Sequence, residues 1–255
     1  MIESKERPAV SLNSVHKRYG TTDALIDINL SVEPGEVVAL VGPSGSGKTT
    51  LLNTICGLTI PDSGEISISG QSLTNIKHRK TLATLVGIVS QQYGLIPTLP
   101  VVQNVLAGKL GSWTNLKSVL SLIWPQDRKQ ASSILSSLGL DEKINERTSH
   151  LSGGEQQRVA VARVLIQSPD VILADEPVAS LDPALAESVM GLLSRITQVD
   201  NKTLILSSHS PYLIQTYCSR IIGIRQGRII FDMPISEIND DIFHDLYETN
   251  QILQR

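Results

Sequence analysis

Residues 42–49 read Gly42-Pro43-Ser44-Gly45-Ser46-Gly47-Lys48-Thr49, which fits G-x-x-x-x-G-K-[ST], with the apolar run VVALV before it and the helix-forming stretch TTLLNTIC, including Thr50, after it. Glycines in such a loop let main-chain N–H groups close around phosphate oxygens, and the helix start adds roughly half a positive charge. Lys48 is expected to reach the β- and γ-phosphates of a nucleoside triphosphate, and the Thr49 hydroxyl to ligate Mg²⁺. The pattern points firmly to a nucleotide, but kinases, GTPases, helicases and transporter motors share it.

Three further strand-like runs end in polar residues: VGIVS before Gln91, VILAD closing on Asp175 and Glu176, and TLILSS before His209. In open α/β sheets, ligands bind outside the carboxyl ends of the strands, so these ends and the glycine loop are expected to converge on one site. A carboxylate beside the phosphate loop suits Mg²⁺, and Asp175 takes that role. Its neighbour Glu176 cannot point the same way and is left to orient or deprotonate the attacking water. An isolated Asp-Glu-Pro would read as a solvated acidic turn; convergence with the phosphate loop reverses that preference. His209 is placed to contact the γ-phosphate, whereas His16, His78, His150 and His244 read as surface or packing residues. Tyr19, in HKRYG, has a ring that could stack on a base, although a lone tyrosine is more often a packing or turn residue.

A second glycine-led helix start follows at LSGGEQQR, residues 151–158. Ser152 and Glu155 fit the capping box S-x-x-E ahead of the helix EQQRVAVARVLIQ. The cap explains neither Gly153 nor Gly154, each of which costs up to about 1 kcal/mol relative to alanine in a helical turn. A helix start without side chains lets an anion approach the backbone closely. Because the first loop already serves its own nucleotide, this surface is expected to meet a nucleotide held by another copy of the chain.

Around these residues the chain alternates apolar runs with helical patterns, which specifies an α/β fold with a mostly parallel sheet. The earlier segments AVSLNSV, ALIDINLSV and GEISISG alternate between apolar and polar positions and predict a smaller antiparallel sheet. No strand pattern occurs from about Tyr93 to His150, so a helical subdomain is expected to be inserted there. The 255 residues are read as one domain: core at about 8–92 and 153–235, helical insertion at about 93–152, short tail at 236–255. A net charge of −3 argues against a general nucleic-acid binder. Cys56 and Cys218 make no disulfide framework and no metal spacing, and read as buried free thiols. The first residues lack the apolar stretch of a signal peptide, and no apolar run approaches the ~18 residues that span a bilayer. A cytoplasmic location is expected, with any membrane attachment made through a partner.

In order and spacing, GPSGSGKT, Gln91, LSGGEQQR, VILADEP, Ser180-Leu181-Asp182 and His209 resemble the ATPase subunit of ABC transporters, over nearly the whole chain. That resemblance implies a P-loop NTPase core and a head-to-tail dimer, with two ATP molecules between the phosphate loop of one copy and the signature segment of the other. It further implies that Tyr19 stacks on adenine, Gln91 touches Mg²⁺ and senses the partner, and Asp182 communicates across the dimer. Glu176 would be the catalytic carboxylate and His209 the γ-phosphate contact. NVLAGKLGSWTNLKSVLSLIWPQDR, VILADEPVASLDP and RIIGIRQGRIIFD are similar to the ATPases of phosphonate importers. The partners so implied are two transmembrane permease subunits and, indirectly, a solute-binding protein, with the chain peripheral on the cytoplasmic face of the membrane. Trp113, Leu116, Leu120 and Trp124 form a helical stripe that either packs the helical subdomain or walls a groove for a cytoplasmic permease helix. Ser90, Ser210-Pro211 and Glu155 depart from the residues most frequent in the family, which loosens the cargo assignment without removing a phosphate, metal or water ligand. The rival readings are a transporter ATPase for another solute, a soluble ABC-type ATPase of DNA repair or translation, and a switch that does not hydrolyse. The soluble ATPase would favour a coiled-coil insertion, tandem domains or a basic surface, and retained Glu176 and His209 oppose the switch.

Overall fold

Strand β3 (Val37–Val41) lies near the middle of a six-stranded sheet whose order is β10-β9-β3-β8-β7-β6. The structure, a computed structural model, describes residues 7–76, 79–114 and 126–238. Strands β6 (Val86–Val89), β7 (Val171–Asp175), β8 (Thr203–Ser207) and β9 (Arg220–Arg225) run parallel to β3, and only β10 (Arg228–Pro234) is antiparallel, paired to β9. Every residue of β3, β7 and β8 is buried, as unbroken apolar runs require when both sheet faces are covered. Pairing is in step: Leu40 and Asp175 both lie opposite Ser207, and Val89 lies opposite Ala174. The carboxyl ends of four adjacent strands are therefore level.

The second sheet is antiparallel, with β1 (Val10–Tyr19) between β2 (Thr22–Val32) and β4 (Ser63–Ile68), and a short β5 (Gln71–Ser72) beyond β4. Helix α1 (Lys48–Ile55) packs between the sheets, with Leu51, Leu52 and Ile55 joining Val38 and Leu40 of β3 and Ile28 of β2 in one apolar cluster. Alternate β3 residues, Val37, Ala39 and Val41, point into a second cluster on the other face. That cluster takes in α3 (Val101–Leu106), α4 (Arg128–Ser137), α5 (Gly153–Gln167) and α6 (Pro183–Asp200). Helices α2 (Arg79–Leu85) and α7 (Pro211–Tyr217) complete the set. This is the expected α/β architecture, a mostly parallel sheet plus a small antiparallel one.

Among the described residues from Tyr93 to His150 the ordered elements are helices and 3₁₀ turns, with one isolated bridge between Pro100 and Arg147. Trp113 is 6% exposed and its Nε1 donates to Asp127 Oδ2 at 3.2 Å, so packing, not groove formation, accounts for it. Leu116, Leu120 and Trp124 of that stripe, and His78 and His244, lie outside the described residues. Both thiols are free; burial in apolar surroundings pushes Cys218 up to about 12, which leaves it unreactive. Among the described residues no helix is long and apolar enough to cross a membrane.

Candidate nucleotide site

The glycine loop connects β3 to α1, and two of its glycines are fixed by the chain itself. A Cβ on Gly42 would stand 2.0 Å from the Ile224 carbonyl oxygen, and one on Gly47 would stand 2.6 Å from that of Ala24. Gly45, at φ 77°, meets nothing beyond its chain neighbours within 4 Å of a built Cβ, so the front of the loop is open. Lys48 is 7% exposed and curls back over the loop, its Nζ donating to the carbonyls of Gly42 (2.7 Å) and Pro43 (3.1 Å). Burial pushes its ammonium below the usual lysine range, while the charges of Glu176 and Asp175 act against that shift. Ser46 Oγ, in the same loop, is buried without a hydrogen-bond partner.

Asp175 ends β7 with both carboxylate oxygens engaged: Thr49 Oγ1 donates to Oδ2 at 2.8 Å and Ser207 Oγ to Oδ1 at 2.7 Å. Two hard oxygen donors, Thr49 and Asp175, thus already face each other beside the phosphate loop, a donor set that fits Mg²⁺. The next residue turns sharply: Glu176 has φ 52°, in the left-handed region. Its N–H donates to Ser207 Oγ at 2.9 Å, and its carbonyl accepts from Gln157 Nε2 at 2.8 Å. The turn sends its carboxylate to His209, with Oε1 and Nε2 3.0 Å apart. Gln91 is exposed two residues past β6, on the strand next to β7. The structure therefore brings the glycine loop, Asp175, Glu176, His209 and Gln91 to one sheet edge. Tyr19 ends β1 at 51% exposure, with its hydroxyl 3.3 Å from Thr59 Oγ1 and Lys17 Nζ 5.4 Å from the ring centre.

At the second glycine pair, α5 begins at Gly153, two residues before the start read from the sequence. The capping box is complete, with Ser152 Oγ accepting from Glu155 N at 3.3 Å and Glu155 Oε2 accepting from Ser152 N at 2.8 Å. The pair itself divides. A Cβ on Gly154 would lie 3.2 Å from both Leu181 Cδ2 and the Ser180 carbonyl oxygen, so packing within the chain explains this glycine. A Cβ on Gly153 would meet nothing within 4 Å beyond its chain neighbours and its own helical turn. Only Gly153 remains without a reason inside the single chain. Gly153→Ala is accordingly expected to raise the urea-unfolding free energy by up to about 1 kcal/mol, whereas Gly154→Ala is expected to gain less, because its methyl would have to push Leu181 Cδ2 or the Ser180 carbonyl back by a few tenths of an ångström.

The main-chain hydrogen bond from Ser152 holds the Glu155 carboxyl below the usual carboxylate range. A depressed carboxyl contributes stability that is present above its unfolded-state pKa and is lost as pH falls through the lowered folded value. Glu155→Gln keeps the cap but cannot titrate, so denaturation between neutral and acid pH is expected to show a shallower acid loss in that variant. Asp182 is the N-cap of α6, its Oδ1 accepting from Leu185 N at 3.1 Å, and it is exposed.

Sequence reading missed Ser207, which holds both Asp175 and the Glu176 N–H; its signal was a hydroxyl closing an otherwise apolar strand. It also missed Gln157, inside LSGGEQQR, which donates to the Glu176 carbonyl and accepts from Ser180 N at 3.2 Å.

A glycine phosphate loop between a central parallel strand and its helix, with carboxylates at the level ends of adjacent strands, defines a P-loop nucleotide hydrolase. The family model described as ABC transporter matches residues 25–179. The chain is 41% identical over 232 residues to the phosphonates import ATP-binding protein PhnC of Pseudomonas fluorescens, covering 90% of this chain and 88% of that one. It is 43% identical over 249 residues to phosphonates import ATP-binding protein PhnC 2 of Cupriavidus metallidurans, covering 95% and 88%. Among solved structures it superposes on a dimeric post-hydrolysis state of the ATP-binding cassette MJ0796 bound to ADP and Pi, with TM-score 0.79, 32% identity and 89% and 98% coverage. The chain belongs to the ABC transporter family, whose cassettes bind and hydrolyse ATP.

Proposed function

We propose that this chain is the ATP-hydrolysing subunit of an importer for phosphonate or a related phosphorus oxyanion. It works as a head-to-tail dimer beneath two permease subunits on the cytoplasmic face of a membrane, and a separate solute-binding protein delivers the cargo. The cargo rests on the two phosphonate-import relatives. The dimer rests on one observation above all: Gly153 is bare at a capped helix start and has no contact within the chain to require it. A groove of about 510 Å³, bordered by Leu58, Leu82, Leu110, Arg163 and Gln167, lies between the α1 end, α2 and α5. Leu58 and Leu110 are 70% and 46% exposed there, and this groove is the surface we assign to a cytoplasmic permease segment.

In the site, the loop Gly42–Thr50 surrounds the phosphates, and Lys48 exchanges its two carbonyl partners for β- and γ-phosphate oxygens. Thr49, Asp175 and Gln91 would hold Mg²⁺, which when bound neutralises charge developing on the phosphates. Glu176 orients the water and accepts its proton at a carboxylate oxygen, while His209, already paired to Glu176, faces the γ-phosphate. Tyr19 lies beside the adenine. Ser152, Gly153, Gly154 and Glu155 of the other copy close the site, their helix start directed at the same phosphates. Asp182 anchors α6 at the dimer seam.

The test is ATP hydrolysis by the chain reconstituted in liposomes with its permease. Phosphonate-loaded binding protein should stimulate hydrolysis several-fold over the unloaded protein. Stimulation by another solute, and none by phosphonate, would replace the cargo and keep the rest.

A further inference from the structure

Two loops at the sheet edge hold a residue other than glycine in the left-handed region, and side chains of α5 pin both. At the first, Tyr93 and Gly94 both have φ 56° directly after Gln91 and Gln92. Their carbonyls accept from Arg163, Nη2 to Tyr93 and Nη1 to Gly94, each at 2.6 Å. At the second, Glu176 has φ 52°, and Gln157 grips the loop at both ends, at the Glu176 carbonyl and the Ser180 N–H. A left-handed tyrosine or glutamate persists only where its surroundings over-determine it. A hydroxyl pair joins the two loops: Tyr93 Oη lies 3.1 Å from Ser180 Oγ.

We propose that the Tyr93–Ser180 hydroxyl pair is a latch through which the position of the Gln91 loop sets the orientation of Glu176. The latch rests on the assignment of Gln91 and Glu176 made above. Signature helix α5 is the bar to which both loops are fixed. When Gln91 is drawn toward the nucleotide, Tyr93 carries Ser180 with it, and the 176–180 turn adjusts as one body because Gln157 binds its two ends. Tyr93 and Ser180 are positioning residues; neither touches the reacting atoms.

The test is a double-mutant cycle on ATP hydrolysis with Tyr93→Phe, Ser180→Ala and the pair together. Each single substitution removes one hydroxyl and is expected to lower kcat about three- to tenfold, with KM for ATP unchanged and Tm lowered by no more than the few degrees that one net hydrogen bond is worth. The double variant should lose no more than either single. Losses that multiply in the double variant, a wild-type kcat in Tyr93→Phe, or a Tm that falls by more than those few degrees would each overturn the latch. Glu176→Gln is measured beside them: if it is inactive while Tyr93→Phe is unaffected, the latch fails and the site stands. If Glu176→Gln is active, the site assignment itself fails.

Discussion

Glu176→Gln is expected to lower the ATP turnover number at least ~100-fold while leaving ATP affinity within about twofold. Glutamine fills the same space and can keep the contact to His209 Nε2, which stands 3.0 Å from the present carboxylate. It cannot accept a proton from water, and that is the single function removed. The fold of the turn is untouched, because Ser207 and Gln157 hold the Glu176 main chain rather than its side chain. Phosphate release under saturating ATP, with binding followed separately by equilibrium dialysis, checks both halves. Unchanged turnover would remove Glu176 from the catalytic role. Asp175 offers the contrast: it is 5% exposed with Thr49 and Ser207 both donating to it, so Asp175→Ala should weaken folding as well as activity.

Gly153→Arg is expected to abolish hydrolysis just as thoroughly, by at least ~100-fold, for a different reason. Beyond its chain neighbours and its own helical turn, nothing in the chain lies within 4 Å of a Cβ at this position, so the isolated chain is expected to fold and bind ATP as before. In the proposed dimer the arginine instead fills the surface that the other copy's phosphates approach. Lys48→Ala damages the opposite half of the site. Each variant alone should be inactive, and a mixture of the two should regain hydrolysis, because one pairing joins an intact phosphate loop to an intact signature. Wild-type hydrolysis in Gly153→Arg would place the whole catalytic site within one chain. Ser152→Arg should behave similarly but also lose stability, since Ser152 is the helix cap.

The strand ends were legible because their signals are local. A strand buried on both faces needs an unbroken apolar run, and β3, β7 and β8 are such runs with every residue buried. Once the strands were parallel and level, Gln91, Asp175, Glu176 and His209 had to share an edge. What could not be read depends on contacts between segments far apart in sequence. Ser207 meets Asp175 only because the β7–β8 register places them opposite each other. Gly154 looked as unexplained as Gly153 until Leu181 and Ser180 were found packed against it. Trp113 read as one side of a helical stripe, yet it is buried and bonded to Asp127, a residue the periodicity gave no reason to single out. Asp182, assigned from resemblance to a role between copies, also has a local one as the cap of α6. The pattern singled out Asp175, Gly154, Trp113 and Asp182, and the partner each one meets came only from the three-dimensional arrangement.

The composite site is tested most directly by light scattering on the Glu176→Gln variant with and without ATP, and on the same variant carrying Gly153→Arg. The expected result is a single-chain mass without ATP, twice that mass with ATP, and a single-chain mass with ATP still bound once Gly153 is replaced. A single-chain mass for Glu176→Gln saturated with ATP, or a doubling that persists with arginine at position 153, would contradict it.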